Sequence, residues 1–182
     1  MKILETERLI LRYQEAADIA FLVDLWSDPV ATRYLGGPRE RDWLAQVFAE
    51  TAANPQAEPY DLWPVVDKSS GHLVGHCGLL DKDIDGRVEI ELNYMFYPTA
   101  WGQGYAVEIG RALLAHAFQN LGLKQLVALI EPANTASIRV AEKLGMRRAR
   151  EIIRPGGAKR LLFVLTAAAA QAAGRAQTPP AR

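Results

Sequence analysis

Two glycines in the segment Trp101-Gly102-Gln103-Gly104-Tyr105-Ala106 give the clearest indication of chemistry in this sequence. A helix that begins here leaves several backbone N–H groups of its first turn without partners, and glycines let an anion approach the backbone closely. The positive end of the helix dipole adds to the attraction. The segment therefore predicts a pyrophosphate site, although a tight turn between a strand and a helix can need the same glycines for conformation alone.

The surrounding sequence argues against two common classes of phosphate-binding protein. No Gly-x-x-x-x-Gly-Lys-Ser/Thr motif of a P-loop occurs. The dinucleotide fingerprint would need a small residue where Val107 stands, and it lies early in a βαβ chain rather than after several strands. A P-loop kinase and a nicotinamide enzyme are therefore disfavoured.

Length and composition fit one folded domain. The chain has 182 residues, of which 49% are hydrophobic, enough for an ordinary core with a short tail left outside it. Its 21 basic and 21 acidic residues balance, so no global field attracts nucleic acid or an anionic membrane. We expect neither as a partner, and any phosphate ligand must be held by local contacts.

The cysteine and histidine content argues against metal chemistry. Cys77 is the sole cysteine, and His72, His76 and His116 do not complete a metal-ligand spacing with it. The N-terminal sequence lacks the apolar segment of a signal peptide, and no apolar run reaches the roughly 18 residues of a membrane span. We expect a reduced, metal-free, cytoplasmic protein.

Apolar periodicity and turn residues predict the elements that position the glycine loop. In the first half they indicate a strand at 9–13, helices over 19–26 and 43–48, and β-rich runs at 62–66, 73–80 and 87–97. In the second half they indicate a helix from the glycine loop to Gly122, a strand at 125–130, a helix from Asn134 to Gly145, and a hairpin of 150–153 with 161–165. The loop thus follows a strand and opens a long helix.

The end of the chain differs in composition from the rest. Residues 167–182 are rich in alanine and include Thr-Pro-Pro. We expect a folded domain over 1–166 and a partly disordered tail over 167–182, with roughly the last ten residues poorly ordered.

Three blocks of sequence, in this order along the chain, resemble the GNAT superfamily of acetyltransferases. The first is TERLILR at 6–12, and the second runs from Glu91 through Pro98 to Glu108. The third joins NTAS at 134–137 to EKLGM at 142–146. The resemblance covers most of the chain, and within the superfamily it is to the branch related to enzymes that acetylate the N-termini of ribosomal proteins.

The resemblance implies an α/β domain that uses acetyl-coenzyme A as co-substrate. We expect a mixed, mostly antiparallel sheet of about seven strands with about four flanking helices, in which two central strands splay to admit the coenzyme arm. In the family, the glycine loop and the helix start bind the coenzyme pyrophosphate through backbone N–H groups, which carries over to Trp101, Gly102, Gln103, Gly104, Tyr105 and Ala106. Trp101 stands where the family usually has Arg or Gln, which removes one charged phosphate contact.

Further coenzyme contacts are implied on either side of this loop. The strand before it is bulged in family members and presents backbone groups to the pantetheine arm and the thioester carbonyl; the matching residues are Tyr94, Met95 and Phe96. Asn134 looks like the family residue that hydrogen-bonds the coenzyme arm, and as a helix N-cap it can serve both purposes. Arg139 and Lys143 are candidate partners for the outer phosphates.

Acetyl transfer to an amine needs a base, because the attacking amine must be neutral. Glu91 is the first candidate, since it lies on the strand that leads into the thioester site. Glu89 shares its face by the two-residue period of a strand and is the alternative. Both residues are also compatible with ordinary charges on an exposed sheet face.

A hydrogen-bond donor should assist the departing thiolate. Many family members use a tyrosine on the last helix, but that position is Ala141 in this chain. Ser137, one turn nearer the helix start, is the candidate acid, as in the ribosomal-protein branch. The alternative is a hydroxyl that only bonds near the helix N-terminus.

Other residues have weaker indications of a role. His76 and Cys77 alternate on a predicted strand; we expect an inert thiol and a structural imidazole, with His76 as a base or acceptor contact left open. Four aromatic residues of the early helices and the segment between them either cover the acceptor pocket, as in the family, or belong to the core: Trp26, Tyr34, Trp43 and Phe48.

The implied reaction is direct acetyl transfer in a ternary complex to a primary amine, either a protein N-terminus or a small molecule. The alternative is an acyl-coenzyme A-binding module that has lost catalysis, favoured by the missing tyrosine at Ala141. Family members are often dimers, so a homodimer is possible by analogy.

Overall fold

An eight-stranded sheet organises the structure, a computed structural model that describes residues 1–176, with side chains as far as residue 172. The strands are β1 (Lys2–Glu5), β2 (Leu9–Arg12), β3 (Leu62–Asp67), β4 (Leu73–Ile84), β5 (Arg87–Phe96), β6 (Gln125–Ile130), β7 (Arg147–Ile153) and β8 (Lys159–Thr166). They lie in the order β1-β2-β3-β4-β5-β6-β8-β7. Only β5 and β6 are parallel neighbours. The predicted mixed, mostly antiparallel sheet is confirmed, with eight strands instead of about seven.

In the described part of the chain, five α-helices flank the sheet: α1 (Ile19–Ser27), α2 (Arg41–Ala53), α3 (Tyr105–Ala115), α4 (Thr135–Lys143) and α5 (Ala167–Ala176). The amphipathic helices α3 and α4 bury Ile109 and Ala141 in the main core beneath the sheet. Helices α1 and α2 pack together through a separate cluster that contains Leu22 and Phe48. Cys77 lies in the main core whereas its neighbour His76 contacts Phe48, so the two helix pairs cover opposite faces.

Strands β5 and β6 are joined by a single backbone bridge. Glu91 pairs with Val127, and no other residue of the two strands is in register. Beyond that bridge, the part of β5 that leads to Phe96 runs free of β6. The splay that the resemblance implied is therefore present, and it opens toward the start of α3.

The other end of β5 is closed by the long β4–β5 hairpin. Ile84, near its tip, packs against Val127, Ile152 and Leu162 of the last three strands. The Asp85 carboxylate accepts a hydrogen bond from Arg150 at 2.5 Å and forms a salt bridge with it. The hairpin thereby fixes the Arg87 end of β5 against the last three strands. The opening between β5 and β6 lies at the other end, toward Phe96.

The structure differs from the predicted elements at three places. β1 is an edge strand whose pairing with β2 contains a register shift, so its four residues carry no clean alternation in sequence. β4 extends to Ile84, four residues beyond the β-rich run predicted at 73–80. Residues Ala167–Ala176 form α5, so the described part of the alanine-rich tail is helical, while the prediction for residues 177–182 lies outside the described residues.

Candidate active site

A cleft of about 430 Å³ lies where the splayed end of β5 meets the starts of α3 and α4. Tyr34 and Leu35, from the connection between α1 and α2, form part of its wall. All the predicted site residues line this cleft except Gln103 and Glu91. Residues from four separate parts of the chain thus converge on one site.

The glycine loop presents a row of free backbone donors. Gly102 and Gly104 have φ angles of 76° and 80°, in the left-handed region that glycine adopts without strain, and Gly104 is the N-cap of α3. The N–H groups from Gly102 to Ala106 donate no hydrogen bond within the described residues. Such a concave row at a helix N-terminus is the geometry that binds a phosphate. The helix itself begins at Tyr105, four residues later than Trp101.

Arg8 holds this loop from outside the cleft. Its guanidinium donates to the carbonyl oxygen of Gln103 at 2.9 Å and to the Glu108 carboxylate at 2.7 Å, and it lies 4.7 Å from the ring centroid of Tyr105. Thr6 also donates to Glu108, at 2.6 Å. The sequence contained this signal in the TERLILR block, but only the fold shows that the block braces the loop.

The aromatic residues of the loop are also anchored. The Tyr105 hydroxyl donates to Asp67 at 2.8 Å. The Trp101 indole donates from Nε1 to the carbonyl of Phe96 at 2.8 Å, although the side chain is half exposed. Trp101 therefore ties the loop to the end of β5 in place of the charged contact that it lacks.

The alternation of the β4–β5 ladder decides which backbone groups of β5 face the opening. Tyr97 donates to Val74, and the ladder runs without a register shift from Gly75↔Phe96 to Ile84↔Arg87. In such a ladder alternate residues bond the same neighbour, so the N–H of Met95 points to β4 and those of Tyr94 and Phe96 point into the splay. The implied bulge is absent from this pairing, and Met95 does not offer the free N–H.

Helix α4 brings the second set of predicted residues to the cleft. Asn134 caps the helix, with Oδ1 accepting from the N–H of Ser137 at 3.1 Å. The Tyr94 hydroxyl donates to the Ser137 carbonyl at 3.2 Å, whereas the Ser137 hydroxyl forms no hydrogen bond within the described residues. Arg139 and Lys143 are exposed and one helical turn apart, so both cations face the mouth of the cleft.

Glu91 lies at the base of the splay. Its side chain is 5% exposed, and Oε1 accepts a hydrogen bond from the N–H of Leu129 at 3.2 Å. Burial raises the pKa of this carboxyl, against the opposing attraction of Lys82. Glu91 lines a narrow cavity that shares Tyr94 and Ser137 with the larger cleft. The carboxylate is thus next to the cleft although it is not part of its wall.

Glu89 lies in a different place. It accepts a hydrogen bond from Gln125 at 2.9 Å and lines a separate cavity of about 350 Å³ near Arg150. Glu89 lies two residues before Glu91 on β5. It is therefore on the side of the Glu91–Val127 bridge that is away from the splay. The structure therefore does not bring the alternative base to the cleft.

Comparison with known proteins is decisive for the family. Residues 8–147 match the family described as Acetyltransferase (GNAT) domain. The chain belongs to this family. The uncharacterized protein YkkB of Bacillus subtilis (strain 168) is 36% identical over 150 residues, which cover 82% of this chain and 87% of YkkB.

Two further relatives agree with this GNAT assignment. The uncharacterized N-acetyltransferase p20 of Bacillus licheniformis is 31% identical over 156 residues, 81% of this chain and 84% of p20. The crystal structure of a GNAT-family acetyltransferase from Bacillus anthracis has a TM-score of 0.76 and 27% identity, and the match covers 92% of this chain and 99% of that one. The protein is an N-acetyltransferase of the GNAT family, and the narrower resemblance to the ribosomal-protein branch stays a prediction.

Against the family pattern, Ala141 is fully buried in the core and does not line the cleft. Cys77 is equally buried, and burial raises the pKa of its thiol, which fits the expected inert role. The His76 ring accepts a hydrogen bond at Nδ1 from Trp26 at 3.0 Å and lines neither cavity of the site. Of the four early aromatic residues, only Tyr34 reaches the cleft, while Trp43 is exposed.

The described residues contain neither a candidate metal cluster nor a helix that could span a membrane. Over residues 1–176, no group of three His, Cys, Asp or Glu side chains is placed to hold a metal ion. In the same part of the chain, no helix is long and apolar enough to cross a membrane.

Proposed function

We propose that the protein transfers the acetyl group of acetyl-coenzyme A to a primary amine in a ternary complex. The observation that carries the proposal is the row of five N–H groups from Gly102 to Ala106, which have no partner among the described residues and lie next to the splay between β5 and β6. A pyrophosphate bound there places a pantetheine arm along the free edge of β5. The thioester then lies near Tyr94, Phe96 and Ser137.

The residues present fit the coenzyme at both ends. Backbone donors of the loop complement a pyrophosphate, and the exposed cations Arg139 and Lys143 complement its outer phosphate. Asn134 lines the same cleft, and its Oδ1 already accepts from the N–H of Ser137, so its amide Nδ2 is the group left for the pantetheine arm. The apolar walls formed by Met95, Ala100 and Val140 suit the methylenes of the arm.

Glu91 acts as the base in this proposal. It removes a proton from the acceptor ammonium, directly or through one water, so that the neutral nitrogen attacks the thioester carbonyl carbon. The raised pKa of the buried carboxyl makes it a stronger base than an exposed glutamate. The N–H of Tyr94 or Phe96 stabilises the oxyanion that develops on the carbonyl, a contribution of roughly 3 kcal/mol in comparable sites.

Ser137 completes the transfer. As the new C–N bond forms, the C–S bond breaks, and the second proton of the attacking nitrogen passes through the Ser137 hydroxyl to the departing thiolate sulfur. Its lack of another partner within the described residues leaves the hydroxyl free for this role. The products are the N-acetylated amine and coenzyme A, and no covalent enzyme intermediate is needed.

The proposal is tested by calorimetric titration with acetyl-coenzyme A, followed in the same sample by thiol release with a panel of alkylamines and of Ser- or Ala-starting peptides. Coenzyme binding with amine-dependent thiol release supports the proposal. Tight binding without release from any amine or peptide contradicts it and favours an acyl-coenzyme A-binding module. Absence of binding contradicts the assignment of the loop at 101–106.

A further inference from the structure

A second, narrow cavity adjoins the coenzyme cleft on the Glu91 side. It is lined by Glu91 and Asn93 of β5, by the end of β6 with Glu131, and by Tyr34 and Leu35. Tyr34, Leu35 and Ser137 belong to both cavities, so the two spaces meet at the position proposed for the thioester. The nitrogen of an amine substrate in the narrow cavity would therefore face the acetyl group.

Asn93 has a buried polar atom without a partner. Its Oδ1 is shielded from solvent and accepts no hydrogen bond within the described residues. Asn93 is two residues from Glu91 on the same strand, so both side chains lie on one face of β5. Its cross-strand neighbour is Gly78, which has no side chain to satisfy the amide. An acceptor left unsatisfied in a protein interior is costly unless a ligand completes it.

The lining of this cavity is complementary to a cation. Two carboxylates, Glu91 and Glu131, and the amide oxygen of Asn93 are present, and no lysine or arginine is among its described lining residues. Arg160 is the nearest counter-charge to Glu131, at 3.8 Å, and it lies outside the cavity lining. An ammonium donates to several acceptors at once, and the two carboxylates and the Asn93 Oδ1 provide three such acceptors.

The size of the cavity limits what enters. Its volume is about 40 Å³, and one water needs roughly 10–15 Å³ on this measure. The space therefore holds an amine nitrogen with one or two methylene groups. A substituent on the carbon next to the nitrogen would need additional volume in a space that is bounded by Tyr34, Leu35 and the end of β6.

We propose that Asn93 is an acceptor-binding residue whose Oδ1 orients the amine toward Glu91, and that the cavity selects primary amines with an unbranched carbon next to the nitrogen. This inference rests on the proposed function for its catalytic meaning, since it names the acceptor class of the same site. It separates alkylamines, including lysine side chains, from α-branched amines such as most protein N-termini.

Amine binding in the absence of turnover tests the inference. Protein saturated with free coenzyme A is titrated by calorimetry with 1-aminohexane and with its branched isomer 2-aminohexane, which has the same charge and composition. Two variants are compared. Asn93→Leu removes the hydrogen-bond-accepting oxygen at similar side-chain volume, and Asn93→Asp keeps an accepting oxygen. Asn120→Leu, an exposed site far from the cavity, is the matched control.

The wild-type protein and the control should bind 1-aminohexane about ten-fold or more tightly than 2-aminohexane, and Asn93→Leu should lose about ten-fold in affinity for the linear amine. Asn93→Asp should retain that affinity, and coenzyme affinity should stay the same in every variant. The inference is overturned if the wild type binds neither isomer or binds both equally, if Asn93→Leu is unaffected, or if Asn93→Asp loses as much as Asn93→Leu. Binding as expected without acetyl transfer from acetyl-coenzyme A would contradict the proposed function alone.

Discussion

Arg8 donates a hydrogen bond to the backbone carbonyl of Gln103, 95 residues further along the chain, at 2.9 Å. The same guanidinium binds Glu108 in the first turn of α3 and lies over Tyr105. The first residues of the domain thus fix the conformation of the loop that carries the free N–H donors. Arg8 is a positioning residue on this account, because it acts on the coenzyme only through the loop.

Replacing Arg8 with Gln should weaken coenzyme binding more than it slows the chemical step. Loss of the brace lets the row of N–H groups move, and small displacements of binding groups cost as much as roughly a hundred-fold. We expect a rise of about ten-fold in the KM for acetyl-coenzyme A, with kcat changed much less. Steady-state kinetics at saturating amine measures both.

The matched control for this prediction is Arg111→Gln, which removes an exposed cation from α3, the helix that Arg8 contacts through Glu108. It should leave the KM for acetyl-coenzyme A unchanged. Equal effects of the two substitutions, or an Arg8→Gln effect confined to kcat, would show that Arg8 does not act by holding the loop. Arg8→Lys should restore little, because a lysine cannot bridge Gln103 and Glu108 together.

Glu91→Gln should lower kcat by roughly 10²–10⁴-fold while leaving coenzyme affinity unchanged, because the variant keeps the shape of the side chain but not the base. Since burial raises the pKa of Glu91, the acidic limb of the wild-type pH–rate profile should lie above the ordinary glutamate pKa of about 4.3. Activity should rise with pH through that limb, and the limb should be absent from the variant.

Glu89→Gln is the control for Glu91, since Glu89 faces another cavity and binds Gln125. It should retain wild-type kcat and the same acidic limb. Loss of the limb in Glu89→Gln but not in Glu91→Gln would reverse the assignment of the base.

Ser137→Ala should reduce kcat by roughly 10²-fold, the lower part of the range for proton transfer by a positioned side chain. The nearby Tyr94→Phe should have a smaller effect, because the Tyr94 hydroxyl already donates to the Ser137 carbonyl. Both variants are compared by pre-steady-state thiol release at saturating substrates. A larger loss in Tyr94→Phe would transfer the role of the acid to the phenol.

His76 should make the protein less stable in acid. Its pKa is lowered to about 4, mainly because burial penalises the charged ring. The unfolded chain takes up this proton near pH 6.5, so the contribution of neutral His76 is complete above that pH and is lost as the pH falls toward 4. At about 1.4 kcal/mol per pKa unit, the loss amounts to roughly 3 kcal/mol.

Urea unfolding at several pH values measures this effect. His76→Gln should flatten the dependence of the unfolding free energy on pH between 6.5 and 4. His116→Gln is the control: that ring is only partly buried, with a pKa lowered by burial, and the substitution should leave most of the slope in place. An unchanged slope in His76→Gln would contradict the buried neutral ring.

The parts of the site that were predicted from sequence are those set by local conformation. Gly102 and Gly104 adopt positive φ values immediately before a helix, and Asn134 caps another helix, so short stretches of sequence identify both. The functions of Arg8 and Asn93 could not be predicted in this way. Arg8 acts on a loop that only the fold brings to it, and the missing partner of Asn93 depends on Gly78 of the neighbouring strand.

The same distinction applies to the fold. The strong periodicity of the central strands and of α3 specified their places, because burial on one face constrains the residue pattern. β1 is held by pairing with β2 at the sheet edge, and its four residues show no apolar periodicity from which a strand could be predicted. Glu89 and Glu91 lie on the same face of β5, so the sequence alone does not distinguish them. The bridge between Glu91 and Val127 leaves Glu91 at the base of the opening and Glu89 away from it.

A crystal structure with coenzyme A bound would show whether the glycine loop and the splay form the coenzyme site. Pyrophosphate oxygens should lie within hydrogen-bond distance of the N–H groups from Gly102 to Ala106, and the pantetheine arm should lie between β5 and β6 with its sulfur near Ser137. Coenzyme bound elsewhere, or an arm that does not enter the splay, would contradict this assignment of the site.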